Sequence, residues 1–312
     1  MHYREYPPHP ALAAHVDCLW AARAPAVAPG DVHTHRVLPD NCVDILWQDG
    51  GQPGFAVGMM SRAILVASER PVLTLAVRFK PGAARVFLAA PLHALTDQRA
   101  DIDLLWGRSD ADQLTDALWT DELPERARLA LIERALLRRL GAAGVAVATG
   151  RADATGFAPG LARAAARPAG SAGATGAAGG AASAGIMAGA VGRTAAAPPG
   201  GVLVQRALRA LDASNGGLRI EDLAATLGVS RQHLAAQFRD QVGLSPKLYA
   251  RICRFRRATA ALKTAPARAA GTPDWAQLAL DCGYFDQSHL IHDFQEFAAS
   301  TPERFHFSNR PG

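Results

Sequence analysis

The 312-residue sequence reads as an α+β, multidomain chain: a β-rich N-terminal domain with a helical C-terminal part, then an all-α domain built on a tandem helix-turn-helix. Three observations carry this reading. Short runs with β-branched and aromatic content, punctuated by turn residues, fill positions 1–107. An Ala- and Gly-dominated stretch interrupts the pattern between 144 and 200. Beyond it the same small helical unit occurs twice, with Leu278, Ala279 and Gly283 each 55 positions after Leu223, Ala224 and Gly228.

In the first region the expected strands are 18–20, 36–38, 43–47, 55–57, 64–66 and 72–79, separated by turns at Pro39-Asp-Asn41, Asp49-Gly-Gly51 and Pro53-Gly54. Strands this short and this closely spaced suggest a small barrel or sandwich, closed or open. A helix is expected from Ala83 to Leu88, and the pattern turns helical from Leu104. Leu129, Ile132, Leu136 and Leu140 trace one apolar face, with Arg134, Arg138 and Arg139 on the outer side. These elements make a first domain over 1–143.

Residues 144–200 hold few large apolar side chains, so ordering them would not be offset by burial, and a flexible linker is expected. Charge divides along the same lines. Residues 1–145 carry 15 Lys/Arg against 17 Asp/Glu, residues 146–199 carry 4 against 1, and residues 200–312 carry 14 against 10. The basic excess therefore lies outside the first domain, as expected if the C-terminal domain, 201–312, meets phosphate. The longest uncharged run, Ala169 to Gly192, is too weakly apolar to span a membrane, and the N-terminus has no apolar export core. A cytoplasmic protein with no membrane partner is expected.

Each helical unit follows from local chemistry. In the first, Leu223, Ala224 and Leu227 share a helix face and Gly228 stands where a helix C-terminus needs left-handed backbone. Ser230 offers an N-cap oxygen to a second helix whose inner face is Leu234 and Phe238. The second unit repeats this with Gly283, the N-cap Asp286, Leu290 and Phe294. A helix from Pro246 to Lys263 joins them, with Leu248, Ile252, Phe255 and Leu262 on its apolar face and Arg251, Arg254, Arg256 and Arg257 around it. Helix, glycine turn and capped helix is the arrangement that places a second helix in a DNA major groove.

Gly243-Leu-Ser-Pro246 with Tyr249, then Gly283-Tyr-Phe-Asp-Gln-Ser-His289, Phe294 and Thr301-Pro302 with Phe305, resembles the signature of AraC/XylS transcription regulators. The resemblance covers about the last hundred residues. It implies two helix-turn-helix units, rigidly joined, reading two major-groove segments of double-stranded DNA. Leu38 to Leu46, Val57-Gly58 and Val77 to Gly82 are similar to a domain of poorly defined function found ahead of such readers. By that analogy residues 1–143 form a sensor or dimerisation domain, with a small-molecule effector, a homodimer and RNA polymerase contact as associated expectations.

On the first recognition helix the outward residues are Arg231, Gln232, Ala235, Ala236 and Arg239, of which Gln232 can make a bidentate amide contact to a base. On the second they are Gln287, Ser288 and His292, with Ile291 beside them. Arg251, Arg254 and Arg257 are expected at phosphates. Three departures weaken phosphate contact by the second unit. His292 stands where the family usually has arginine, Gln295-Glu296 replace a basic pair, and Ala299-Ser300 replace a glycine. His33 and His35 would face one side of a strand, but no third ligand has a readable spacing, and Arg78 and Lys80 around Phe79 read as a surface face, with an anionic-ligand site as the alternative. No metal, cofactor or catalytic group is expected. The alternative, an alkyl-transfer DNA-repair protein fused to an AraC-type module, needs clustered thiolates, whereas Cys18, Cys42, Cys253 and Cys282 fall singly.

Overall fold

The computed structural model describes residues 2–28, 30–50, 52–120, 122–148, 199–264 and 273–308. Residues 149–198, most of the expected linker, lie outside them.

The N-terminal region is built on a six-stranded antiparallel sheet in the order β1 (His2–Tyr6), β2 (Val16–Arg23), β7 (Leu73–Phe79), β4 (Val43–Gln48), β5 (Phe55–Val57), β8 (Arg99–Asp101). β3 (His33–Val37) and β6 (Ile64–Ser68) pair separately as a two-stranded ribbon. Alternation assigns the sheet's faces. Val43, Ile45 and Trp47 on β4 and Leu75, Val77 and Phe79 on β7 are fully buried in the main core. The opposite face holds a smaller apolar cluster of Cys18, Trp20, Ala22 and Ala76. Beside it Arg78 lies 3.3 Å from Asp44 and 3.5 Å from Asp40, and the indole of Trp20 donates to Asp44 at 3.2 Å.

Helices α1 (Arg85–Leu88), α2 (Ile102–Trp106), α3 (Arg108–Trp119) and α4 (Glu125–Ala148) complete this core, with α4 packed on β7 and on α1, and α3 packed on α2 and α4. Leu129, Ile132 and Leu136 of α4 are buried as their spacing requires. Arg139 departs from its expected outer position. Its guanidinium lies over the Trp106 ring, donates to the Trp106 carbonyl at 2.9 Å and pairs with Asp110 at 3.2 Å. Two edge elements, β1 and β8, were not legible. β1 is His-Tyr-Arg-Glu-Tyr and mostly exposed, so it has no apolar alternation to detect, and β8 has three residues.

The C-terminal region contains α5 (Pro199–Ala213), α6 (Ile220–Thr226), α7 (Arg231–Val242), α8 (Pro246–Thr264), α9 (Trp275–Asp281), α10 (Gln287–Ala298) and α11 (Pro302–Ser308). α5 buries Val204, Ala207, Leu208 and Leu211, an i, i+3, i+4, i+7 face packed against the first helix-turn-helix. Asp212 at its end accepts a 2.8 Å bond from the Tyr249 hydroxyl.

The two regions touch. The Thr96 hydroxyl donates to the Gly243 carbonyl at 2.6 Å, and Asn41, buried with φ 64°, donates to the Tyr249 carbonyl at 3.3 Å. Arg85 pairs with Asp240 near the end of α7. At Gly243 a Cβ would stand 3.1 Å from the Leu92 carbonyl oxygen, and the positive φ there also favours glycine.

Candidate nucleic-acid interface

The two helix-turn-helix units repeat bond for bond. In the first, Gly228 N–H donates to the Ala225 carbonyl and Val229 N–H to that of Ala224. In the second, Gly283 N–H donates to Leu280 and Tyr284 N–H to Ala279. This paired closure satisfies the orphan carbonyls of α6 and α9 and requires the left-handed backbone that the glycines adopt, at φ 69° and 81°. Ser230 then accepts from His233 N–H at 3.2 Å, and Asp286 accepts from His289 N–H at 2.7 Å. The second turn is one residue longer, and Phe285, 85% exposed, fills the extra place. Leu234 and Phe238 of α7, and Leu290 and Phe294 of α10, are fully buried.

That packing fixes which side chains remain outside. On α7, Arg231, Gln232, Ala236 and Arg239 are exposed and Ala235 is half-buried. Arg231 pairs with Glu221 at 3.0 Å, but both are more than half exposed, so the pair is weak and exchangeable for a phosphate. On α10, Gln287, Ser288 and His292 are exposed and Ile291 is half-buried. His289 packs edge-on against Tyr284 with ring centres 5.2 Å apart, so its ring is a packing group.

The connecting helix departs from expectation. Of the three arginines expected at phosphates, Arg257 is exposed, as is its neighbour Arg256. Arg251 and Arg254 are engaged inside the domain. Arg251 Nη2 lies 2.7 Å from Asp293 Oδ1 and 2.5 Å from Glu296 Oε2, and Nε adds a 3.1 Å bond to Asp293. Asp293 is fully buried, and the guanidinium lies over the Phe297 ring at 4.9 Å. Arg254 Nη1 donates to the Gly216 carbonyl at 2.6 Å, and its guanidinium lies 5.6 Å from the Tyr284 ring centre. Unlike Arg257, Arg251 and Arg254, which were expected at phosphates, are held by carboxylates, a carbonyl and aromatic rings of the domain itself. Nothing in the sequence pattern ties Arg251 to Asp293, which stand 42 positions apart.

Charge separates the units sharply. Residues 199–264 carry 11 Lys/Arg against 4 Asp/Glu, a net +7, whereas residues 273–308 carry 1 against 6, a net −5. The first unit and connecting helix can attract a polyanion, and the second repels one. His292, Asp293 and Glu296 bring three metal-capable atoms within 4.8 Å of one another. The Arg251 guanidinium already occupies the space between these two carboxylates and offsets one of their two negative charges.

In the N-terminal region, His33 and His35 stack with ring centres 6.4 Å apart on one face of β3, and no third ligand joins them among the described residues. Arg78 is bound by Asp44 and Asp40, and the exposed Lys80 donates to the Ala13 carbonyl at 2.7 Å, so the two cations are engaged separately. The four cysteines are free thiols, and burial pushes Cys18 and Cys253 up to about 12, away from the thiolate that group transfer requires. No helix among the described residues is long and apolar enough to cross a membrane.

Two family models match separate parts of the chain. Residues 223–306 match the family described as "Helix-turn-helix domain", and residues 4–101 match "Domain of unknown function (DUF6597)". No curated protein matches the chain. Among solved structures, a transcriptional regulator of the AraC-type DNA-binding domain-containing proteins from Chromobacterium violaceum is 24% identical over 36% of this chain and 96% of its own, with a TM-score of 0.30. ToxT from Vibrio cholerae is 9% identical over 98% of both chains, with a TM-score of 0.37. An unsaturated fatty acid-bound ToxT from V. cholerae strain SCE256 is 9% identical over 88% of this chain and 94% of its own, with a TM-score of 0.33.

Proposed function

We propose that this chain, whose C-terminal part is a helix-turn-helix domain of the AraC type, is a sequence-specific transcription regulator that reads two adjacent major-groove segments of double-stranded DNA. The observation that carries the reading is the repeated unit: two glycine turns closed by the same pair of bonds, each followed by a capped helix with a polar exposed face. In this reading residues 1–143 are a sensor or dimerisation domain, 144–200 a tether and 201–312 the DNA-binding domain. Gln232 discriminates bases in the first segment, Arg231 and Arg239 flank it, and Ala235 and Ala236 offer apolar contact to a thymine methyl. Gln287, Ser288 and His292 face the second segment, and Arg257 meets the backbone between the two.

A small-molecule effector acting through the N-terminal domain, a homodimer and contact with RNA polymerase are the associated proposals. The contact of Thr96 and Asn41 with the C-terminal region gives the first of these a physical route to α7 and α8. The reading is of a regulator without catalytic chemistry, working in the cytoplasm. An electrophoretic shift of the DNA upstream of its own gene tests it. Retention of the complex against excess unrelated duplex is the expected result, and equal competition by unrelated duplex would refute sequence-specific reading.

A further inference from the structure

We propose that Arg251, Asp293 and Glu296, assisted by Arg254, are positioning residues that hold the second recognition helix at DNA in place of phosphate contacts of its own. The inference rests on the DNA-binding reading above. In a protein–DNA interface phosphate contacts orient the protein, and base contacts then discriminate. The exposed face of α10 carries Gln287, Ser288, His292, Gln295 and Glu296, without a lysine or arginine, in a unit of net charge −5. Something other than the backbone must therefore set its orientation.

The arginine fork supplies that. Arg251 belongs to α8, which also packs against the first unit, and it grips two carboxylates one turn apart on α10. Contacts at 293 and 296 together restrain both the distance of α10 from α8 and its rotation about its own axis. Asp293 is fully buried, so its charge is tolerated only while the guanidinium stays in place, which makes alternative orientations unfavourable. One turn away, Arg254 reaches the Gly216 carbonyl ahead of the first unit and the Tyr284 ring in the turn of the second. The angle between the recognition helices, and through it discrimination at the second DNA segment, depends on these side chains.

The test uses the full chain and a duplex selected from a random library, compared with duplexes scrambled in either segment. In wild type, scrambling either segment should weaken binding about tenfold or more. In Arg251→Met the second-segment penalty should fall to within about twofold while the first-segment penalty persists. Arg251→Lys, which keeps the charge but not the fork, should recover only part of the loss. A phosphate-binding Arg251 would instead weaken all three duplexes alike, and that outcome, or an unchanged second-segment penalty, overturns the proposal. Should circular dichroism show Arg251→Met unfolded, Glu296→Gln, which loosens one arm, must lower the second-segment penalty alone. A wild type that discriminates only the first segment overturns this inference and leaves DNA binding standing; one that discriminates neither overturns both.

Discussion

Arg257 and Arg251 sit on one helix, six positions apart, yet their substitution should have different effects on DNA binding. Arg257 is exposed beside Arg256 in the net +7 part of the domain, whereas Arg251 is held by Asp293 and Glu296 with its side chain 19% exposed. Each phosphate contact releases condensed counterions and contributes about 0.9 to the slope of log K against log salt. Arg257→Ala should flatten that slope by about 0.9. Between 50 and 200 mM salt, a fourfold rise, the advantage of wild type over the variant should then shrink by about 3.5-fold. Arg251→Ala should leave the slope unchanged, because no counterion is released by a guanidinium bound to carboxylates. Fluorescence anisotropy on one labelled duplex across a salt series measures both. Equal flattening by the two substitutions, or none by Arg257→Ala, would refute the division of the connecting helix into an outer phosphate face and an inner clamp.

Two further outcomes follow from other parts of the molecule. Gln232→Ala should cost about 1–3 kcal/mol on a selected duplex and less on random DNA, since its amide reads base edges; equal losses on both would remove it from base readout. In the sheet, burial pushes the Asp44 carboxyl up to about 6 from an ordinary 3.8, despite its Arg78 partner. A carboxyl raised in the folded state favours folding fully below the unfolded value and loses that contribution as pH rises through about 6. Relative to Asp44→Asn, wild type should therefore lose about 2–3 kcal/mol of stability between pH 4 and pH 6.5, and parallel unfolding curves across that window would contradict the assignment.

The helix-turn-helix units were legible because their determinants are local. A glycine at the helix end, a cap oxygen and an i, i+4 apolar pair lie within about twenty residues, and each appears in the structure where the sequence put it. The main strands were legible from β-branched runs, but β1 and β8 lack such a run, and their places in the sheet come from pairing with β2 and β5. Helix α5 carried a readable apolar face at Val204, Ala207, Leu208 and Leu211 that its position after the Ala/Gly stretch obscured. The electrostatics of the site were less accessible. A basic residue on a helix with an apolar stripe reads as surface, and only tertiary pairing separates Arg251 and Arg254 from Arg257. Glu296 likewise read as a repulsive group at the phosphates, whereas its carboxylate holds Arg251.

The asymmetry between the two units is tested most directly by hydroxyl-radical footprinting of the full chain on a selected duplex. Two protected segments on one face, about one helical turn (~10 base pairs) apart, are expected. Backbone protection should be stronger under the first unit and the connecting helix, where Arg239 and then Arg256 and Arg257 are exposed, and fainter under the acidic second unit. Protection that is uniform along the duplex, or stronger at the second segment, would contradict it.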